Sequence, residues 1–181
     1  MAVSLWVAGF RFSKLDSHEL TAETAAFKFQ LRVGHRPPRE KLSMISTVTN
    51  QGRANWMIVD GAFNHERLIE FFEALVADGR RLGKKVFLIL DNLGVHHCKP
   101  VKAWLAEHLA AIEVFYLPSY SPELNPDERL NADLKHAIGT KVPVRTKTKL
   151  RAAAEQHMQF IQANPQRVRA YFQDPVVRYA A

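Results

Sequence analysis

Two acidic positions stand where a folded chain can use them. Asp91 follows the apolar run Val86-Phe87-Leu88-Ile89-Leu90, and Glu128 closes the segment Pro118-Ser119-Tyr120-Ser121-Pro122-Glu123-Leu124-Asn125-Pro126-Asp127-Glu128. The first is the end of a strand buried on both faces, the edge of a parallel sheet where ligands collect. The second delivers carboxylates from a proline-punctuated loop onto the first turn of a helix. Carboxylates brought together from separate elements repel unless a cation lies between them, and hard oxygen ligands without cysteine suit Mg²⁺ or Mn²⁺. Paired divalent ions that activate a water or a 3′-hydroxyl and stabilise the leaving oxygen perform phosphoryl transfer.

Other roles compete for the same residues. An aspartate after a strand also serves as a cap or turn residue. With Asn125 as the helix cap, Glu128 falls at the third helical position and can close a capping box. At 100° per residue, Asp127 points nearer the Leu130-Leu134-Ile138 stripe than Glu128 does, and geometry alone leaves the choice between them open. His96 and His97 follow Asp91 closely. Adjacent histidines do not readily face one metal, and no zinc-type Cys/His spacing accompanies them. One histidine is therefore expected to contact phosphate or orient the acidic site, and the other to be solvated. Trp56, Trp104, Phe71 and Phe72 read as core residues and not as base-stacking platforms.

The elements that must hold these residues are legible from pattern. Residues 4–12 read as strand-like, and residues 42–50 and 55–63 as a hairpin joined by Gln51-Gly52-Arg53. After the cap Asn64, the residues Leu68, Phe71, Phe72, Leu75 and Val76 form the stripe of an amphipathic helix that Gly83 ends. Val101, Trp104, Leu105 and Leu109 mark a short helix, and residues 112–117 a second buried strand. This strand-helix-strand unit favours parallel pairing. Asn125-Pro126 starts the next helix, with Leu130, Leu134, Ala137 and Ile138 as its apolar side. A basic connector at residues 141–149 leads to helical stretches at 150–163 and 166–172. Its Lys141, Arg145, Lys147 and Lys149, with Arg151, are candidates to guide DNA, against the alternative of a solvated connector.

Composition bounds the rest. The 181 residues, 47% hydrophobic and 24% charged, fit one domain or one domain with an appendage and exclude a wholly disordered chain. The formal charge of +7 favours polyanionic partners, nucleic acid first. Cys98 is the only cysteine, which excludes an internal disulfide and suits a reducing cytosol. The apolar residues 1–12 lack a basic region followed by a small-residue cleavage site, and no stretch reaches the roughly 20 apolar residues that span a bilayer.

Leu88-Ile89-Leu90-Asp91-Asn92 followed by His96, then Leu117 and the Pro118 to Glu128 segment, resemble the catalytic domain of mariner-superfamily DDE transposases of the bacterial insertion-sequence type. The similarity runs from about residue 42 to the closing Tyr171-Phe172 and Val177-Arg178-Tyr179-Ala180-Ala181. The resemblance implies an α/β, RNase H-like (retroviral-integrase-like) fold with a mixed five-stranded sheet and flanking helices. It implies an Asp-Asp-Glu triad holding two Mg²⁺ ions, and a DNA cleavage and strand-transfer activity. Carried across, Asp91 matches the second acid and Glu128, not Asp127, the third. Asn92 and His96 match motif neighbours of the second, and Asn125 lies in the motif of the third. Transposon-end and target DNA become the expected partners, with a homodimer to bring two ends together and a bacterial cytosol as the setting.

The departure from the family lies at the N-terminus. The first acid is expected on the first strand, here near Leu5-Trp6-Val7-Ala8-Gly9-Phe10, which contains none; Asp16, the nearest carboxylate, lies past that strand. A helix-turn-helix region that recognises element ends has no room before Ser43. The expected organisation is a divergent segment at 1–41 including a first strand, a catalytic core at 42–140, and a basic connector with C-terminal helices at 141–181. The expectation is a truncated or frame-disrupted transposase, or one of two separately encoded pieces; the alternatives are a catalytically inactive DNA-binding or partner-binding remnant and another RNase H-like nuclease.

Overall fold

The computed structural model describes residues 6–7, 10–11, 21–33, 40–119, 121–141 and 146–180. Seven strands and five helices follow in order: β1 (Trp6–Val7), β2 (Phe10–Arg11), β3 (Thr21–Val33), β4 (Glu40–Thr49), β5 (Ala54–Val59), α1 (His65–Arg81), β6 (Val86–Leu90), α2 (Lys99–Glu107), β7 (Ile112–Tyr116), α3 (Asp127–Lys141), α4 (Lys147–Gln162) and α5 (Pro165–Ala170).

The main sheet has five strands in the order β5-β4-β3-β6-β7. Strands β4 and β5 form the expected antiparallel hairpin, with Val48 opposite Ala54 and Ser43 opposite Val59. Its turn requires glycine: Gly52 has φ +95°, and a Cβ there would stand 2.6 Å from the Pro165 carbonyl oxygen. Strands β6 and β7 pair in parallel across α2, as the strand-helix-strand reading expects. The expectation of the family's first strand near residues 5–10 is corrected. The strand between β4 and β6 is β3, antiparallel to the first and parallel to the second. Among the described residues, the short strands β1 and β2 within 4–12 pair with each other and not with the main sheet.

Side-chain alternation divides the core between the two faces. On one face Leu42, Met44 and Val48 of β4 meet Leu130, Leu134 and Ile138 of α3, Leu150, Met158 and Ile161 of α4, and Phe172. On the other, Ile45 joins Val86, Leu88 and Leu90 of β6, Phe72 of α1 and Val101 of α2. Each such fully buried side chain contributes about 1.5–3 kcal/mol. The C-terminal helices thus share one core with the sheet. Helix α1 begins as expected, with the Asn64 side chain accepting from the Arg67 amide at 3.1 Å. Two expectations need adjustment. Leu109 lies beyond α2 and is 59% exposed. The basic connector is shorter than expected, because Thr146 caps α4 and Lys147 and Lys149 already belong to its first turn.

Candidate active site

Strand parity directs Asp91. Val86, Leu88 and Leu90 face the α1-α2 side, so the next position along β6 turns toward α3. The backbone then leaves the strand under close control. Asp91 Oδ1 accepts from the Leu93 amide at 3.3 Å and stands 3.0 Å from Nδ1 of His96. That nitrogen also lies 2.9 Å from the Asp91 backbone oxygen. Two oxygen acceptors on one nitrogen assign the proton to Nδ1, so the His96 ring acts as a donor that fixes Asp91. His96 is only 1% exposed, and the Tyr116 hydroxyl donates to its backbone oxygen at 3.2 Å.

The proline-rich loop is tied to this strand end. The Leu117 amide donates to the Leu90 oxygen at 2.8 Å, which extends the β6-β7 ladder by one bond. Asn92 Nδ2 donates to Ser119 Oγ at 2.9 Å, and its Oδ1 meets Nε2 of His97. The His97 ring packs 4.3 Å from that of Tyr116, so the expectation of a solvated second histidine is corrected. Between strand end and loop opens a pocket of about 310 Å³, with Asp91, Asn92, Pro118, Ser119, Pro122 and Asn125 in its wall.

Asn125, 1% exposed, starts α3 by accepting the Asp127 amide on Oδ1 at 3.0 Å. Its own amide donates to the Pro122 oxygen, so that donor goes to the preceding turn and not to a Glu128 capping box. The first turn then separates its two acids. Asp127 is fully buried, as its nearness to the apolar stripe suggests, whereas Glu128 is part-exposed. Burial pushes the Glu128 carboxyl above the usual glutamate range; Lys135 and Asn131 pull it back, and the charge of Asp91 raises it further. Asp127 is raised well above its ordinary value, by burial first and then by Glu128 and Asp91, against the Ser46 hydrogen bond. Asp91, Asp127 and Glu128 therefore lie within one another's electrostatic reach. Among the described residues, no three His, Cys, Asp or Glu side chains gather as a metal-holding group.

The register of β3 shows where a third acid would fall. Ala26 pairs with Leu90 and Phe27 with Ser46, so position 27 is level with Asp91, in the row that β4 continues as Ser46. The acid of β3 is Glu23, which pairs with Leu88, well short of the strand end. Asp16 lies outside the described residues.

The basic tract is only partly available. Arg151 is paired with Asp60 and Glu155, and Lys147 lies 4.0 Å from Asp60. Lys149 is exposed, whereas Arg145 and the Lys141 side chain lie outside the described residues. Sequence reasoning missed Ser46 and Asn131, both buried and polar, and the cluster around Asp133, whose carboxylate meets His157, Arg167 and Tyr171. Polar residues breaking the apolar alternation of β4 were the available signal for Ser46.

The strand order, with acids at the end of β6 and in the first turn of the helix after β7, defines an RNase H-like α/β fold. A family model for DDE superfamily endonucleases matches residues 28–151. No curated protein sequence matches the chain. Among solved structures, the catalytic domain of Mos1 mariner transposase is similar with TM-score 0.65 and 18% identity, over 91% of this chain and 81% of that one. The Mos1 strand transfer complex gives TM-score 0.61 and 15% identity, over 98% of this chain and 50% of that one. The HTLV-2 integrase catalytic core domain in complex with magnesium, in dimeric form, gives TM-score 0.50 and 13% identity, over 75% and 85%. The chain belongs to the DDE superfamily endonuclease family.

Proposed function

We propose that the chain is the catalytic domain of a DNA transposase, built for metal-dependent strand cleavage and strand transfer, with Asp91 and Glu128 as its catalytic and metal-binding carboxylates. The observation that carries this reading is Asp91 at the end of β6 in the wall of an open pocket, opposite the loop and Asn125 that lead into the α3 turn bearing Glu128. Hard oxygen donors whose charges oppose each other fit a divalent cation of the Mg²⁺ or Mn²⁺ kind, which relieves the repulsion. Such a cation would supply Lewis-acid stabilisation of the scissile phosphate. The chain's own residues prepare the site: His96 holds Asp91, Asn92 ties the Ser119 loop to the strand end, and Asn125 sets the start of α3.

DNA is the proposed partner, as transposon end and target, in keeping with the +7 charge and with the Mos1 paired-end complex with left transposon end among similar structures. A homodimer holding two ends, and a bacterial cytosolic setting, complete the proposal. No helix among the described residues is long and apolar enough to cross a membrane. By residue, the proposed organisation is an N-terminal segment at 1–41 that contributes β3, a core at 42–140 and a C-terminal part at 141–181.

A second reading, an inactive DNA-binding remnant, is favoured by phenylalanine at position 27. A nicking assay on duplex DNA with Mg²⁺ or Mn²⁺ separates the two. Nicking that disappears in Asp91→Asn and Glu128→Gln supports the enzyme. Binding that weakens steeply with salt, with no nicking at any metal concentration, supports the remnant. Cleavage of RNA-DNA hybrids in preference to duplex ends would instead indicate another nuclease.

A further inference from the structure

Asp127 is an unusual residue for its position. Its carboxyl is 0% exposed, it sits in the first turn of α3, and both of its oxygens lie 3.0 Å from a single donor, the Ser46 hydroxyl. Ser46 is itself 0% exposed and belongs to β4, 81 residues earlier in the chain. Among the described residues, the charged groups that act on Asp127 are Glu128 and Asp91, both acidic. A buried carboxyl without a cationic partner is costly, and an apolar side chain here would extend the Leu130-Leu134-Ile138 stripe and stabilise the helix more simply.

What the pair does accomplish is geometric. Apolar contacts between α3 and the sheet permit sliding and rolling, because the hydrophobic effect has no direction. A buried hydrogen bond does not permit them, since a shift of one ångström leaves a carboxyl unsatisfied in an apolar setting. Ser46 lies in the same cross-strand row as position 27, level with Asp91, and Asp127 is covalently next to Glu128. The pair therefore ties the residue before Glu128 to the row of the sheet that ends at Asp91. The Asn125 side chain, bonded to the Asp127 amide, fixes the same turn from its other end.

We propose that Ser46 and Asp127 form a positioning pair that holds Glu128 in register with Asp91 for a shared divalent cation. This rests on the assignment of Asp91 and Glu128 given above. Neither Ser46 nor Asp127 touches the cation; both act through the seat of α3.

The test uses the full chain and Mn²⁺ as a paramagnetic probe, read as broadening of the backbone amide signals of residues 91–93 and 125–128 during titration, which also detects weak binding. Ser46→Ala keeps every charge and removes the donor. It is expected to weaken Mn²⁺ binding about tenfold, the scale of losing an outer-shell partner of a metal ligand. Ser46→Thr, which keeps the hydroxyl, is expected to restore it. Asp127→Asn is the second variant should Ser46→Ala fail to fold, and is expected to weaken binding likewise. If Asp91→Asn and Glu128→Gln abolish broadening while Ser46→Ala and Asp127→Asn bind like the unmodified chain, the positioning pair is refuted and the site assignment stands. If the unmodified chain shows no broadening near Asp91, or if Asp91→Asn does not reduce it, the site assignment fails and the pair falls with it. A loss of thermal stability without any change in Mn²⁺ affinity marks a purely structural contact and also overturns the proposal.

Discussion

Replacing Asp133 by asparagine is expected to loosen the C-terminal helices by an amount that can be worked out from its contacts. The Asp133 side chain, on α3, is 9% exposed, and three groups from beyond α3 converge on it. Arg167 Nη2 donates to Oδ1 at 2.9 Å, His157 Nε2 lies 3.1 Å away, and the Tyr171 hydroxyl donates to Oδ2. Burial alone would raise this carboxyl, but the Arg167 and Tyr171 hydrogen bonds, the Arg167 charge and His157 hold it at about 2, against an ordinary 3.8. That difference corresponds to about 2 kcal/mol. Breaking a buried pair from one side costs about 3–5 kcal/mol, an upper bound here because the half-exposed Arg167 can return to water. Asp133→Asn is therefore expected to cost about 2–3 kcal/mol at pH 7, which lowers the melting temperature by about 5–10 °C in a chain of this size. A carboxyl with a lowered folded-state pKa stabilises above its unfolded value and loses that contribution as pH falls through its folded value. The gap between the two proteins should thus be full above about pH 4 and close toward pH 2. Urea unfolding followed by circular dichroism across that range measures it. A gap below about 0.5 kcal/mol at pH 7, or one that persists unchanged at pH 2, refutes the reasoning.

Phe27→Asp is expected to tighten Mn²⁺ binding about tenfold or more by placing a carboxylate level with Asp91, and isothermal titration calorimetry would expose the idea as wrong if affinity stayed flat. Gly52→Ala is expected to cost more than about 1 kcal/mol, because position 52 has φ +95° and its Cβ would meet the Pro165 carbonyl; a chemical denaturation midpoint equal to that of the unmodified chain contradicts this. Lys149→Glu should weaken binding to unrelated duplexes to a similar degree and flatten the salt dependence, as phosphate contacts do, and a loss confined to one DNA sequence would disagree.

Much of the fold was legible because its signals are local. The β4-β5 hairpin announces itself through Gln51-Gly52-Arg53, α1 through Asn64 and its apolar stripe, and β6 through five consecutive apolar residues. The first strand of the sheet was expected near residues 5–10 because that stretch is more apolar than residues 21–33. Yet Phe27, Phe29, Leu31 and Val33 alternate with Lys28, Gln30 and Arg32, a period of two that marks β3 once it is sought. Asp127 followed the wheel inward as expected. Its partner was signalled only in part: Ser46 breaks the Leu42-Met44-Val48 alternation of β4, but at 81 residues' distance nothing in that pattern says that it meets Asp127. The Asp133 cluster was hidden for the same reason: it gathers side chains from α3, α4, α5 and Tyr171, each unremarkable on its own element.

The fold and the chemistry make separable demands on the N-terminal part of the chain. Strand β3 completes the sheet through backbone pairing with β4 and β6, and backbone pairing is indifferent to whether position 27 carries a carboxylate or an aromatic ring. The approach of Glu128 to Asp91 depends on other contacts: the apolar seat of α3, the Ser46–Asp127 bond and the Asn125 cap. The Ser46–Asp127 bond and the Asn125 cap belong to β4, α3 and the loop before it. A chain with phenylalanine at position 27 therefore keeps the scaffold that converges two acids while leaving the third place in the row without oxygen ligands. Burial raises the Glu128 carboxyl, Lys135 and Asn131 lower it, and the charge of Asp91 raises it further. The part of that shift owed to Asp91 is one that neither sheet pairing nor core packing requires and that a divalent cation is suited to offset.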